Sequence, residues 1–337
     1  MRIVQPEATV VETSKQEPYE FIERVGRTCY KSESAISENS AKRFVKSLFS
    51  SQHHAMLEHY HIMIGMRSTT YQLFKECLLE QGQKDHVNLF QFINVTENVQ
   101  GSIDGSSCSY VSGSFRAFID IAKHIDVGGV GSAFICLLKD NFPTLFSEYS
   151  YLNSDILLKY CMACITWDYF KLAIDSSMSL PQFDKDAILS HHIVLSCKFV
   201  CDLLVQREFV RHRIAAFAGE STRYCNYAKD KFGSEITVMD PGFDNNSLMY
   251  QIWYDSVTTV EQAYKCLIDA GAKPDDARRV LPVSTKSELW VTATEEEWQH
   301  IINLRYHGTT GRPHPDMKKV MILAYPQLCE LSNNRLN

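Results

Sequence analysis

The chain has 337 residues, of which 45% are hydrophobic and 22% charged, as is ordinary for a soluble globular protein with a substantial core. Its formal net charge of −6 argues against nucleic acid or an anionic membrane surface as a general partner. Eleven cysteines without disulfide-like or zinc-like spacing favour reduced thiols. With no signal peptide and no apolar run long enough to span a bilayer, we expect a cytoplasmic protein, or one of the host cytoplasm if the source is a phage.

The amino-terminal part is predicted to alternate short strands and helices. Residues 2–12 have the pattern of short β segments interrupted by Pro6. Apolar residues recur at helical spacing over 19–30 and again over 38–49. A strand is expected from His61, because the residues after it follow a strand-like alternation.

Four histidines and a glutamate lie within nine residues, between His53 and His61. This density suggests a metal-dependent enzyme as an alternative, with His53, His59 and His191 as ligands. No pair has the spacing that is diagnostic of a metal site, and hydrogen bonds or ligand contacts explain these histidines equally well. We therefore assign no metal.

Residues 66–190 differ in character from the rest of the chain. They contain a Gly/Ser-rich loop over 101–107 and an apolar segment over 152–174 that is predicted to be a long helix. No cluster of chemistry-bearing residues is found there. The interpretation is a mainly helical insertion of unknown role on a main domain formed by 1–65 and 191–337.

A dense basic segment follows a predicted strand and helix. The strand is expected over 192–201, and the helix from Asp202 carries the triplet 211–213 at its carboxyl end, where the macrodipole favours cations. With Arg223, three guanidinium groups lie within thirteen positions, an array suited to a phosphate or carboxylate. Surface ion pairs with neighbouring glutamates and nucleic-acid binding are the alternatives.

The carboxyl-terminal third contains further clear elements. An amphipathic helix is predicted over 248–270 with Gly271 as its cap, and a short helix opens at Pro274. A strand is expected over 283–293, and a final helix with a buried apolar stripe over 315–331.

A capping box, with Thr294 as N-cap and Glu297 reaching back, is predicted to start one more helix. Helical spacing places Trp298, Ile301 and Arg305 on one side of it. Because an arginine beside core residues is costly when unpaired, Arg305 must find an anionic or polar partner.

Several of these segments, in the same order, resemble the motifs of the flavin-dependent thymidylate synthases. The resemblance covers about residues 1–65 and 191–325. The segments that carry it are Gly26-Arg27-Thr28-Cys29-Tyr30-Lys31-Ser32, His53-x4-Glu58-His59, Arg211-His212-Arg213-x7-Ser221, Glu220-Ser221-Thr222-Arg223-Tyr224-Cys225-Asn226-Tyr227, Ala277-Arg278-Arg279-Val280-Leu281-Pro282 and Trp298-x-His300-x3-Leu304-Arg305.

The resemblance implies an α/β (α+β) fold with a central, mostly antiparallel sheet flanked by helices, here with a helical insertion. It implies a methyltransferase that converts dUMP to dTMP. Methylenetetrahydrofolate supplies the carbon, and NADPH supplies the hydride through FAD. It also implies a homotetramer with sites between subunits and no cysteine nucleophile, with dUMP and folate as small-molecule partners rather than nucleic acid or membrane.

The resemblance also implies roles for single residues. The implied dUMP contacts are Glu208, Arg211, Gly219, Glu220, Ser221, Thr222, Arg223, Arg278 and Arg305. The implied FAD contacts are Cys29, Ala55, Glu58, Arg211, His212, Arg213, Gly219, Thr294, His300 and Leu304. The residues implied in catalysis are Arg305, Ser221, Arg223 and His53, with His53 near the folate end.

The chain departs from the family pattern at several of these positions. Family members usually carry a polar residue where this chain has Ala218-Gly219, and often carry Thr and Asn in place of Ala55 and Thr294. Losing a partner of a charged group costs about 1.5–3 kcal/mol. A flavin- and nucleotide-binding relative with lost or altered activity, acting on a modified pyrimidine nucleotide, is therefore the principal alternative.

Overall fold

The structure is a computed structural model. It describes residues 1–100, 107–126, 128–149, 160–177, 180–223, 227 and 235–337. The strands are β1 (Arg2–Val4), β2 (Glu7–Glu12), β3 (His61–Arg67), β4 (Ile93–Val99), β5 (Cys108–Ser114), β6 (Met162–Ile165), β7 (Val194–Asp202), β8 (Ala216–Gly219), β9 (Thr237–Met239) and β10 (Lys286–Thr294).

The helices alternate with these strands along the chain. They are α1 (Pro18–Tyr30), α2 (Ser40–Ser50), α3 (Ser68–Asp85), α4 (Phe115–His124), α5 (Gly129–Asn141), α6 (Pro143–Phe146), α7 (Trp167–Asp175), α8 (Gln182–His192), α9 (Leu203–Phe209), α10 (Leu248–Asp269), α11 (Pro274–Ala277), α12 (Glu295–Ile302) and α13 (Pro315–Leu331). None of the described helices is long and apolar enough to cross a membrane.

Two four-stranded antiparallel sheets organise the described residues. The central sheet has the order β2-β7-β10-β8, and the second sheet has the order β4-β5-β3-β6. Strands β1 and β9 form a separate parallel pair. The mixed, mostly antiparallel architecture expected from the sequence is thereby confirmed.

The central sheet is covered on both faces. On one face, Trp290 of β10 packs edge-on against Phe21 of α1, with ring centroids 5.5 Å apart. On the other face, the fully buried Trp298 of α12 donates its indole N–H to the Leu195 carbonyl oxygen of β7 at 2.9 Å. Burying each such side chain contributes roughly 1.5–3 kcal/mol, so the hydrophobic effect holds α1 and α12 against opposite faces.

The segment predicted as an insertion is not simply helical. Strands β4, β5 and β6 all lie within 66–190, and they pair with β3, which crosses the predicted boundary at residue 65. Phe115 of α4 stacks on Tyr60, with ring centroids 5.6 Å apart, and belongs to the same apolar cluster as α1 and α2. The division of the chain into two domains stays a prediction.

The single long helix predicted over 152–174 is wrong over 162–165 and correct over 167–174 among the described residues. Residues 162–165 form β6, which pairs with β3 from Met63 to Met66, and a new helix begins only at Trp167. The β3 edge offers backbone partners that override the helical spacing of the apolar residues, and Thr166 then caps α7. Residues 152–159, and 101–106 of the predicted Gly/Ser loop, lie outside the described residues.

A buried ion pair joins the segment predicted as an insertion to the central sheet. Lys171 Nζ of α7 donates to Glu12 Oε1 at the end of β2 at 2.6 Å, and Lys15 Nζ lies 2.9 Å from Glu12 Oε2. The Glu12 side chain is only 4% exposed. Burial alone would raise the pKa of Glu12, but the two lysines and a hydrogen bond from Ser14 lower it to about 2.

Replacing Glu12 by Gln is expected to lower the free energy of unfolding at neutral pH by on the order of 2–3 kcal/mol. Because the pKa in the folded state is depressed, this contribution is present above the ordinary value of 4.5 and is lost as pH falls toward 2. Urea titrations of wild type and E12Q between pH 7 and pH 3.5 measure the difference. The control is E7Q, at the exposed Glu7 of the same strand. A difference that does not shrink below pH 4.5 would contradict the assignment.

Candidate functional site

Arg305 is held by three hydrogen bonds where α12 runs on into a π-helical turn, Asn303–His307. Its Nε donates to His212 Nε2 at 3.1 Å and its Nη1 to Glu208 Oε2 at 2.9 Å. Its Nη2 donates to the Glu208 backbone oxygen at 3.1 Å. The anionic partner expected for Arg305 is therefore Glu208, in the last turn of α9. Two of the five guanidinium N–H groups are not used in these bonds.

His212 connects Arg305 to a second carboxylate. Its side chain is 3% exposed, and its Nδ1 lies 3.5 Å from Glu297 Oε1. Because Nε2 accepts from Arg305, the neutral imidazole carries its proton on Nδ1, toward Glu297. The result is a chain of contacts from Glu297 through His212 to the guanidinium.

The capping box predicted at the start of α12 is half confirmed. The Thr294 hydroxyl accepts from the Glu297 backbone N–H at 3.3 Å, as expected of an N-cap. The Glu297 carboxylate faces His212 instead of reaching back to the cap residue. The His212 imidazole competes with the cap residue for the Glu297 carboxylate, so this carboxylate contacts the site and not the helix start.

The described residues contain one group with ligand atoms close enough for a metal ion, formed by His212, Glu297 and His300 within 4.8 Å. His300 is exposed, and its ring meets that of His212 edge-on at 5.6 Å. An ion on His212 Nδ1 would have to displace the proton that faces Glu297, while Nε2 is already taken by Arg305. Hydrogen bonding to Arg305 is the better account of this group.

The histidines of the metal alternative are not gathered into a site. In the structure His53 Nδ1 lies 3.4 Å from the Tyr30 hydroxyl, and His59 Nδ1 lies 2.7 Å from Thr292 Oγ1 in the core. Burial lowers the pKa of His59 to about 3, so it is neutral. His191 Nδ1 pairs with a glutamate of α12 at 2.7 Å. Each histidine therefore has a separate partner.

The segment after β8 is fixed to the end of α1. The Ser221 backbone N–H donates to the Cys29 carbonyl oxygen at 2.9 Å, and the Ser221 hydroxyl accepts from the Arg223 backbone N–H at 3.3 Å. The Cys29 thiol is buried, which raises its pKa to about 11. A thiol that stays protonated at neutral pH is a poor nucleophile.

Two arginines from different parts of the chain meet beside this segment. Arg223 Nε lies 3.3 Å and Arg278 Nη2 lies 3.1 Å from Asp275 Oδ1. Arg278 Nη1 also donates to Thr222 Oγ1 at 3.4 Å. Arg279 points away with its side chain 80% exposed, so Arg278 is the member of the pair that reaches the segment. Residues 224–226, which follow Arg223 in the motif, lie outside the described residues.

A buried lysine–glutamate network lies under the same segment. Lys286 Nζ donates to Glu220 Oε2 at 3.0 Å, and Lys31 Nζ lies 3.8 Å from the same oxygen. Both lysines also pair with Glu288 of β10, as does Lys198 of β7. Burial alone would raise the pKa of Glu288, but the lysines hold it far below its ordinary value. The Glu220 side chain, 2% exposed, is thus directed at lysines of its own chain.

The other predicted site residues differ in exposure. Arg211 and Arg213 are exposed, on either side of the buried His212. Glu58 pairs with Arg116 at 2.6 Å, and burial raises the pKa of its carboxyl. Ala55, Gly219, Thr294 and Leu304 are partly buried. The assignment of these residues to dUMP or FAD stays a prediction.

Sequence reasoning assigned no site role to several residues that the structure places beside the predicted site residues. They are Lys31, Gln206, Lys286, Glu288 and Glu297. Lys286 and Glu288 alternate along a strand, so their shared face was visible in the sequence. The partners across the sheet were not, because they come from distant parts of the chain.

Comparison with known proteins adds independent information. Residues 187–330 match the model of the family described as thymidylate synthase complementing protein. Flavin-dependent thymidylate synthases of Thermococcus onnurineus and Geobacter sulfurreducens are 28% and 27% identical to this chain over 134 and 154 residues. These matches make part of this chain similar, at low identity, to the flavin-dependent thymidylate synthases.

The alignments are partial. They cover 39% and 44% of this chain, and 54% and 65% of the two relatives, so the chain spans about half to two thirds of their length. The structure of a UMP/dUMP methylase, PolB from Streptomyces cacaoi, bound with 5-Br UMP, aligns with 48% of this chain and 84% of its own at 21% identity. Its TM-score of 0.38 is too low to establish a common fold.

Glu288→Gln is expected to destabilise the fold by about 3 kcal/mol, because it removes the carboxylate charge that Lys31, Lys198 and Lys286 share. Chemical denaturation at neutral pH measures the loss. The matched control is Glu33→Gln, since Glu33 is 38% exposed and lies 3.6 Å from Lys31. An exposed pair contributes about 0–1 kcal/mol. Equal effects of the two substitutions would contradict the importance of the buried network.

Proposed function

We propose that this protein is a flavin-dependent thymidylate synthase that methylates dUMP to dTMP. The carbon comes from methylenetetrahydrofolate and the hydride from NADPH, while a proton leaves C5 of the pyrimidine. Tetrahydrofolate and NADP⁺ are the other products. The observation that carries the proposal is the Arg305 guanidinium, which Glu208 and His212 fix through three of its five N–H groups.

Arg305 supplies the electrostatic part of the chemistry. As C5 attacks the incoming carbon, negative charge spreads onto the pyrimidine carbonyl oxygens, and fixed N–H donors there lower the barrier. Glu208 and His212 fix the guanidinium before the nucleotide arrives, so little reorganisation is needed. The raised pKa of Cys29 keeps that thiol protonated, so Cys29 is not the nucleophile in this proposal.

The segment after β8 suits the phosphate of dUMP. Ser221 offers a hydroxyl, and Arg223 and Arg278 converge on Asp275, which holds two guanidinium groups side by side. A phosphate can take charge-assisted hydrogen bonds from both. This reading gives Ser221 a binding role rather than that of a nucleophile.

The residues expected for FAD fit an anionic cofactor. Arg211 and Arg213 are exposed cations at the end of α9 and suit a pyrophosphate. Both ring nitrogens of His212 face groups of this chain, so its role is to position Arg305 rather than to bind flavin in this arrangement. When bound, FAD would carry the hydride of NADPH, with Cys29, Ala55, Glu58, Gly219, Thr294, His300 and Leu304 as its further contacts.

His53 and the subunit assembly complete the proposal. His53 is exposed beside Tyr30 and would meet the folate end of the site.

The homotetramer expected from the family agrees with the exposed apolar side chains of α10, among them Leu248, Met249 and Ile252. The assembly we propose is therefore a homotetramer whose sites are completed by neighbouring subunits. The family-like catalytic fold would be built on the central sheet.

The function is tested with the purified full-length protein. We expect a flavin absorbance spectrum, or its appearance on adding FAD, and conversion of dUMP to dTMP that requires methylenetetrahydrofolate and NADPH. Mass spectrometry of the nucleotide product identifies the added methyl group. A protein that binds no flavin, or one that leaves dUMP unchanged in the complete mixture, would overturn the proposal.

Arg278 and Arg279 form a matched pair for testing the phosphate site. Arg278→Ala should raise the KM for dUMP by roughly 10- to 100-fold, because it removes a charge-assisted contact of about 1.5–3 kcal/mol. Arg279→Ala should change it little, since that side chain is 80% exposed and pairs with Asp276. Steady-state kinetics with dUMP varied gives both values. The reverse ranking would place the phosphate elsewhere.

A further inference from the structure

Gly219 has no side chain, and the amide of Gln206 fills the space where one would begin. A β carbon placed on Gly219 would lie 2.1 Å from Gln206 Nε2 and 3.0 Å from its Cδ. Both distances are too short for a real contact, so residue 219 can carry a side chain only if the Gln206 amide moves. Gln206 lies on α9, and Gly219 ends β8, where it pairs with Leu289 of β10.

The Gln206 amide is oriented by β10. The Ser287 hydroxyl donates to Gln206 Oε1 at 3.0 Å, which leaves the amide nitrogen on the side of Gly219. Among the described residues, no acceptor is found for the two N–H groups of Nε2, and the side chain is partly exposed. A donor that is fixed in place and still has unused hydrogen-bonding capacity is suited to a ligand.

The donor lies at the start of the segment assigned to the nucleotide. Gly219 immediately precedes Glu220-Ser221-Thr222, and Glu220 is turned toward Lys286 beneath the segment. Gly219 itself can offer only backbone groups. A polar side chain at this point of the site must therefore come from another element, and Gln206 is the one whose amide reaches it.

We propose that the Gln206 carboxamide is a further nucleotide-contacting group of this site, which donates an N–H to an acceptor oxygen of the bound pyrimidine nucleotide. This contact requires glycine at position 219, because a β carbon there would displace the Gln206 amide. The inference rests on the proposed function and extends it by one binding residue. It also accounts for the departure from the family pattern at Gly219. The polar side chain that family members usually carry in this strand is supplied here by α9.

The test is a double-mutant cycle in the full-length protein, with dUMP binding measured by calorimetry. Gln206→Ala removes the donor, and Gly219→Ala leaves the donor intact but displaces it. Each is expected to weaken dUMP binding about 10-fold, as for one hydrogen bond to a charged or strongly polar ligand. The double variant Q206A/G219A should bind no more weakly than either single variant, because both act through one contact.

Controls separate this inference from the function on which it rests. Gln182→Ala removes an exposed carboxamide of α8 and should leave dUMP binding unchanged. Thermal melting of each variant identifies losses that come only from folding. If the wild type does not bind dUMP, the proposed function fails. If the wild type binds dUMP but Q206A binds it equally well, or if the two single losses add in the double variant, the role of Gln206 is overturned.

Discussion

The antiparallel pairing of β10 with β7 is the interaction on which the rest of the structure depends. It runs without interruption from Lys286 opposite Asp202 to Thr294 opposite Val194. Because the two faces of the sheet pack against different elements, a slip of this pairing by one residue would move each side chain to the wrong face. One end of β10 carries the lysine–glutamate network and Ser287, which donates a hydrogen bond to Gln206. The other end of β10 leads directly into α12. Both halves of the candidate site are therefore tied to one strand.

Partly buried charges set the geometry at each end of that strand. Arg305 is 20% exposed and Glu208 21%, so their attraction is stronger than that of a fully solvated pair, and the desolvation cost is smaller than in a dry core. At the other end, Glu288 is shared by lysines of α1's carboxyl end, β7 and β10. These networks position groups of the site as well as stabilising the fold. Each holds a hydrogen-bond donor or a chain segment where the nucleotide is proposed to bind.

The sequence predicted much of the local structure, because the apolar spacing of α1, α10 and α13 is strong and their ends carry recognisable signals. It also predicted that Arg305 needs an anionic partner, from its place beside Trp298 and Ile301. It failed over 162–165, where pairing of β6 with β3 outweighed helical spacing. It could not predict the direction of Glu297, because a local cap and a distant histidine compete for the same carboxylate and only the folded chain brings the second within reach.

The sequence by itself determined the order of the motifs, the similarity to flavin-dependent thymidylate synthases and the residue types available for chemistry. These properties depend on neighbours along the chain and on matches to related sequences. The tertiary structure alone decided which charges meet. Arg278 contacts Thr222, whereas Arg279 does not. Glu220 pairs with lysines of its own chain, and the Gln206 amide lies against Gly219. Such contacts join residues from different elements, and their distances follow from sheet pairing and helix packing, which local sequence patterns do not specify.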